Sequence, residues 1–551
     1  MTLLFAQPAP DHAPTDLLLR HILEGAVLAT PRQEIVYRDR HRFTYAEMAG
    51  RVHRLAGALE ARGVRPGSTV AIMDWDSHRY LEAYFAVPMM GAVLQTANIR
   101  LSRAQLVHCL SSTGATHLIY HADFADLVGS LLPDLPVLKT LIVIADDTAT
   151  EPGLASGDYE ALLAAAPSDH VFSDFDENAL ATRFHTTGTT GLPKMVSFSH
   201  RQLVLHTLAL SATLALQPKG QRFGRDDVYM PLTPMFHVHA WGLPLVATMT
   251  GVKQVYPGRY DPSMILDLKD WEGVTFSHCV PTVLQMILAE WTRRGARAGA
   301  LAPWTLMIGG SALLPPLQRA ARDAGVDLMT GYGMSETGPV VALARGGGLD
   351  DTRRLTDLRK AGRPLPLVRA AIVDADMNPQ PFDGCTQGEL VLRAPWLTAS
   401  YPGNAEASAD LWRGGWMHTQ DIAAIGPDGT IEIRDRLKDV IKSGGEWISS
   451  IEIESLLLDH ALVAEAAVVA TPDPLWGERA AAFIVLGRGV DPDGAAPAIK
   501  DSLARAAEAG RISRFAIPTR MTIVENLPRT SVGKIDKKVL RQRVADTTRL
   551  T

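Results

Sequence analysis

Apolar residues along this chain fall into two patterns that take turns. Short unbroken apolar runs of strand length precede longer stretches with apolar residues at helical spacing, over most of the first two-thirds. Tyr45 to Arg62 carries a helical pattern with Thr44 as N-cap and Gly63 as stop. STVAIMD (68–74) predicts a buried strand, and HRYLEAYFAVPMMGAV (78–93) an apolar helix ending near glycine. Further buried strands are expected at Thr116–Asp123 and Leu138–Asp147, and a loop at Thr150–Asp174. The alternation resumes with a strand at 195–200, a helix at 201–214, strands at 227–233 and 254–258, a strand running into a helix at 274–291, and a strand at 305–310. Strand-then-helix repetition implies parallel sheets with helices on both faces.

From Ala361 the texture changes to short strands (369–376, 388–394, 430–436) separated by Gly, Pro and Asp turns, the pattern of a small β subdomain. A boundary is expected near Asp435–Val440. Beyond it, strands at 463–473, 480–487 and 520–528 and a helix at Ala498–Ala509 suggest a compact α+β unit, with Gly487–Pro497 as a loop. The expected fold class is therefore α/β. Residues 1–435 form a large N-terminal domain of parallel α/β sheets that includes a β subdomain at about 361–435. Residues 441–551 form a small α+β C-terminal domain.

Composition narrows the function classes. The chain has 551 residues, 46% hydrophobic and 21% charged, which is ordinary globular usage and argues against disorder. A formal charge of −6 gives no basic field for nucleic acid, so no nucleic-acid partner is expected. Cys109, Cys279 and Cys385 are too scattered for a disulfide framework or a metal cage, which fits a reducing, cytoplasmic setting. No secretory signal is apparent at the start. The apolar stretch Tyr229–Val252 is interrupted by prolines, glycines and histidines, so it reads as a buried strand–turn–helix and no integral membrane span is expected.

The strongest chemical signal is HTTGTTGLPK (185–194). Thr186, Thr187, Gly188, Thr189, Thr190, Gly191 and Lys194 bring hydroxyl donors, exposed backbone N–H groups and one cation together, a set that suits a polyphosphate. It is not a Walker A loop, because Lys194 stands between Pro193 and Met195. In order along the chain, four more motifs follow. GGSA (309–312, with Gly310, Ser311 and Ala312) ends a strand, and GYGMSETG (331–338) offers Gly331, Tyr332, Gly333 and the carboxylate Glu336. WMHTQD (416–421) ends in Asp421, and PRTSVGK (528–534) puts Lys534 after a glycine on a turn. The spacing of the second motif is wrong for a dinucleotide fingerprint, and neither Ser311 nor Ser335 has the surroundings of a hydrolase nucleophile. Ser531 and Lys534 match a β-lactamase-like pair only in spacing, since Gly533 argues against the helix start such a pair needs.

These motifs resemble the signatures of the adenylate-forming superfamily: acyl- and aryl-CoA ligases, luciferases and peptide-synthetase adenylation domains. The resemblance spans about residues 15 to 545. It implies that ATP and Mg²⁺ are used to activate a carboxylic acid as an acyl-adenylate, which then passes to coenzyme A. It further implies that Lys534, Thr189 and Glu336 neutralise charge at the phosphates, with Glu336 and Thr189 at the magnesium. Tyr332 would stack on adenine, and the 309–312 turn would line the adenine and acyl pocket. Asp421 would take the ribose hydroxyls, with Arg436 as a second contact. The C-terminal domain would be mobile about a hinge at 436–440, with Lys438 as the hinge residue. Gly444, Gly445 and Trp447 would enter the site for the thiol step. In MFHVHAWG (235–242) His237 would close the acyl tunnel, with a plain core histidine or a His237–His239 metal pair as other readings. The chain departs from the family pattern where Met195 and Gln420 replace glycines. FSHRQLVLHT (198–207) and FHVHAWG resemble medium-chain acyl-CoA and methylmercaptopropionate-CoA ligases, so a short or medium fatty acid or a methylthio-alkanoic acid is expected. An aryl acid is the second choice of substrate; an acyl- or aryl-adenylating enzyme that delivers to a carrier protein or amine, and a non-catalytic nucleotide-binding protein, are the rival readings. The oligomeric state is left open, a homodimer included.

Overall fold

The computed structural model describes residues 3–146, 155–186, 192–217, 222–313, 315–345, 358–443, 446–487, 489–529 and 535–548. Four sheets organise them. The first has seven strands, with Thr69–Met73, Val93–Thr96, His117–His121, Thr140–Ile144 and Leu180–His185 all parallel and Met195–Ser199 antiparallel at the edge. The second has nine strands, parallel through Glu34–Tyr37, Lys253–Tyr256, Val228–Pro231, Phe276–Cys279, Trp304–Ile308 and Val326–Gly333, with antiparallel edges. Unbroken apolar strands belong in sheets covered on both faces, and Thr69–Met73 is buried at every position. The helix His78–Met89 is buried at every residue too, and its charged side chains are paired there, Glu82 with Arg51 and Arg79 with Asp146 and Glu160. The expected helix at Tyr45 forms over Tyr45–Ala61 behind a Thr44 capping box.

The β texture after Ala361 becomes a four-stranded antiparallel sheet of Arg369–Val373, Gly388–Arg393, Met417–Ile425 and Ile431–Arg436. A five-stranded sheet follows, built on the long pair Val463–Asp473 and Gly477–Leu486, and carries helices Ser450–Leu458, Pro492–Glu508 and Lys537–Thr548. Its apolar residues form a core of their own, including Ile453, Leu457, Val468, Ile484, Ile499 and Leu503. The molecule is thus a large N-terminal parallel-sheet domain followed by a small α+β one.

Two expected loops are partly helical. Within Thr150–Asp174 a helix runs over Tyr159–Ala165, because Asp158 caps Ala161 N–H and Tyr159 and Leu163 turn into the core. Within Gly487–Pro497 the helix Pro492–Glu508 has already begun. Ala495, Ile499, Leu503 and Ala506 are buried at helical spacing, and that burial outweighs Pro497 inside the helix.

Candidate active site

Three elements deliver the site. The hairpin of Leu180–His185 and Met195–Ser199 carries the Thr- and Gly-rich motif, whose base is closed by Thr186 N–H to Lys194 O (2.8 Å) and Lys194 N–H to Thr186 Oγ1 (3.3 Å). Thr187, Gly188, Thr189, Thr190 and Gly191 lie outside the described residues. Lys194 leaves the hairpin with its Nζ 4.7 Å from the centre of the Tyr401 ring. The Tyr401 hydroxyl donates to Glu336 Oε1 at 2.5 Å. Glu336 sits in the short turn Ser335–Thr337 and is only 6% exposed. Burial raises its carboxyl above the usual glutamate range; the Tyr401 hydrogen bond and the charges of Lys194 and Arg436 pull it back.

The second element is the strand Val326–Gly333. At Gly333 a Cβ would fall 1.6 Å from the Pro339 carbonyl oxygen, so only glycine fits the bend that leads to Glu336. Tyr332, one residue earlier, donates its hydroxyl to Asp421 Oδ2 at 2.6 Å. Gly331 packs on Met307, and Gly310, Ser311 and Ala312 form an exposed turn beyond Trp304–Ile308.

The third element is the strand pair Met417–Ile425 and Ile431–Arg436. Asp421 faces Arg436 in register, with Arg436 Nε 3.6 Å from Asp421 Oδ1, and the Thr419 hydroxyl accepts Asp421 N–H at 3.1 Å. Gln420 adopts φ +59, the left-handed region, on an exposed side chain. Its N–H donates to Glu389 Oε1 and its carbonyl accepts Leu437 N–H. A glycine would take this conformation without strain; glutamine holds it through those partners. Met195 is different. It lies in an ordinary strand opposite His185, so nothing in the backbone there calls for glycine.

The segment after strand Val228–Pro231 takes an uncommon form. Val238, His239, Ala240 and Trp241 all have positive φ (50, 53, 47 and 59) and run into Gly242 at +75. Four non-glycine residues in left-handed geometry cost roughly 1–2 kcal/mol each, so the surroundings must hold the turn. His237, half-buried, immediately precedes it. His239 is buried against Tyr84 and Phe184; burial and the neighbouring His206 push its imidazole down to about 3. Among the described residues no group of three His, Cys, Asp or Glu side chains gathers as a metal cage, so the His237–His239 pair lacks a third such ligand there. Trp241 packs on the 309–312 turn, where a Cβ at Gly309 would lie 3.0 Å from its indole.

Lys438 sits in the tight turn after Ile431–Arg436, closed by Asp439 and Val440 N–H groups on Arg436 O. Trp447 lies in the strand Glu446–Ile448, whereas Gly444, Gly445 and Lys534 lie outside the described residues. Sequence reasoning missed Tyr401, the link between Lys194 and Glu336. It is a lone tyrosine before a Pro-Gly turn, with no spacing to mark it.

The fold pairs parallel sheets with a small C-terminal domain, and the hairpin bearing the Thr- and Gly-rich motif meets the buried carboxylate Glu336 through Tyr401; this is the arrangement expected of an adenylate-forming enzyme. The family models agree: residues 23–402 match AMP-binding enzyme and residues 452–534 match AMP-binding enzyme C-terminal domain. The chain belongs to this family, and it is an acid–thiol ligase of the AMP-forming, acyl-CoA synthetase class. It is similar to a long-chain-fatty-acid–CoA ligase of Thermus thermophilus, 41% identical over 96% of this chain and 95% of that protein. It is also similar to a 3-methylmercaptopropionyl-CoA ligase of Ruegeria lacuscaerulensis (34% identical, 96% and 98% covered). A medium-chain-fatty-acid–CoA ligase of Ectopseudomonas oleovorans is 33% identical, with 92% and 91% covered. Among solved structures, ATP-bound MatB from Rhodopseudomonas palustris shares the fold with a TM-score of 0.83 at 24% identity, over 97% of this chain and all of that one (100%). No helix among the described residues is long and apolar enough to cross a membrane.

Proposed function

We propose that this ligase activates a short- or medium-chain fatty or methylthio-alkanoic acid with ATP, in the cytoplasm, and transfers it to coenzyme A. The observation that carries the site assignment is the continuous chain Lys194–Tyr401–Glu336, next to Tyr332–Asp421–Arg436, at the seam of three elements. A carboxylate is a poor electrophile, so its oxygen must be aligned on the α-phosphate while charge on the phosphates is neutralised. Lys194 and the threonines of the phosphate loop, Thr186, Thr187, Thr189 and Thr190, bind the triphosphate with the N–H groups of Gly188 and Gly191. Asp421 takes the ribose hydroxyls, exchanging its Tyr332 partner for them, and Arg436 adds a contact. Tyr332 packs on adenine beside the turn of Gly310, Ser311 and Ala312. Lys534 orients the acid against the α-phosphate. Glu336, a buried carboxylate held by a tyrosine, suits a cation that takes most of its other ligands from phosphate and water, with Thr189 beside it. Bound there, Mg²⁺ would neutralise phosphate charge.

Hinge motion at 436–440 about Lys438 then withdraws Lys534 and brings the turn of Gly444 and Gly445, with Trp447, to the acyl-adenylate. The acid class is supported by the apolar residues Phe236 and Trp241 that flank His237 along the chain, both buried, and by relatives named for fatty and methylmercapto acids. Whether a homodimer does this work is read by light scattering. The test is a panel of straight-chain acids from two to sixteen carbons, methylthio acids and aryl acids, with AMP and acyl-CoA measured by mass. The expected result is a short- or medium-chain fatty acid or a methylthio acid well ahead of aryl acids. An aryl preference, or acyl-AMP without a CoA thioester, contradicts the proposal.

A further inference from the structure

We infer that Asp76, Tyr84 and Thr96 form a buried clamp on the chain just before the left-handed turn, and that this clamp sets which acids the enzyme accepts. The inference rests on the reading that Phe236–Trp241 walls the acyl chain. Asp76 Oδ1 accepts Met235 N–H at 2.8 Å, the Tyr84 hydroxyl donates to Met235 O, and the Thr96 hydroxyl donates to Phe236 O at 2.9 Å. Three main-chain polar groups of Met235 and Phe236 are thus taken by side chains, not by secondary structure. All three side chains are buried: Asp76 is 3% exposed and both Tyr84 and Thr96 are 2%. They come from separate elements of the seven-stranded half: the turn after Thr69–Met73, the helix His78–Met89 and the strand Val93–Thr96. The segment they grip follows a strand of the nine-stranded half, so the clamp spans the two sheets.

Downstream, the other end of the turn is also fixed. Gly242 packs on the His206 ring, whose Nε2 lies 3.1 Å from Val340 O, and Trp241 rests on Gly309. A left-handed run of non-glycine residues does not persist alone, so its shape is inherited from what fastens its ends. The front fastening is the clamp, and the residues it places are His237 and Trp241. Burial raises the Asp76 carboxyl to about 8, so the group is the uncharged acid at neutral pH and asparagine is its close isostere.

The test uses the full-length enzyme with ATP, CoA and a chain-length panel of acids. Tyr84→Phe and Thr96→Val each remove one donor and keep the packing. Each is expected to raise KM for the best acid about tenfold and to flatten the chain-length profile at least fivefold, with KM for ATP within twofold. Thr96→Ser and Asp76→Asn are expected to stay near wild type, whereas Asp76→Ala follows Thr96→Val. Acid KM and profile unchanged in both Tyr84→Phe and Thr96→Val overturn the clamp, as does an equal rise in both KM values. His237→Ala separates the two ideas. If it shifts the profile while the clamp variants do not, only the clamp fails. If it leaves the profile untouched, the acyl-wall reading fails and takes the clamp with it.

Discussion

At the scale of single residues, the two departures from family glycines have opposite physical meanings. Met195 is extended and costs nothing in the backbone, whereas Gln420 sits at φ +59 on the strand that presents Asp421. Gln420→Gly is therefore expected to raise stability by about 1 kcal/mol, seen as a higher urea midpoint, with ATP binding intact. A lower midpoint would mean that the left-handed assignment is wrong. Glu336 is expected to matter through charge. Glu336→Gln keeps the Tyr401 contact and the volume but removes the carboxylate, so acid-dependent AMP release should fall by about two orders of magnitude while the fold persists. Near-normal rates would remove Glu336 from the phosphate machinery.

Among elements, most of the fold was readable because burial and periodicity agree. Apolar strand runs such as Thr69–Met73 and capped helices such as Tyr45–Ala61 form where the pattern places them. The misses share one cause. Tyr159–Ala165 and the start of Pro492–Glu508 are rich in alanine and flanked by Pro, Gly and Asp, so local turn signals masked a helical face that only burial reveals. Asp158→Ala should speed amide exchange across Tyr159–Ala165 about fivefold, the equivalent of a cap worth about 1 kcal/mol. Unchanged exchange would show that packing alone holds that helix. The candidate site was readable to a similar degree. Glu336, Tyr332, Asp421 and Lys194 stand in ordered motifs and do converge. Tyr401 and the clamp were not readable. Asp76 meets Met235 across 159 positions, and no local spacing encodes such a contact.

For the whole molecule, the proposed two-step scheme would assign different residues to different arrangements of the C-terminal domain. Lys534→Ala should abolish acyl-AMP formation yet spare thioester formation from supplied acyl-AMP. A bulky residue at Gly445 should do the reverse. Equal loss of both half-reactions in both variants would contradict a hinge at 436–440. The most direct measurement of the central claim is ATP–pyrophosphate exchange with magnesium and the preferred acid. Exchange that requires the acid and disappears in Lys534→Ala is the expected result. Exchange that proceeds without any acid, or is undiminished in Lys534→Ala, would contradict activation of a carboxylate at this site.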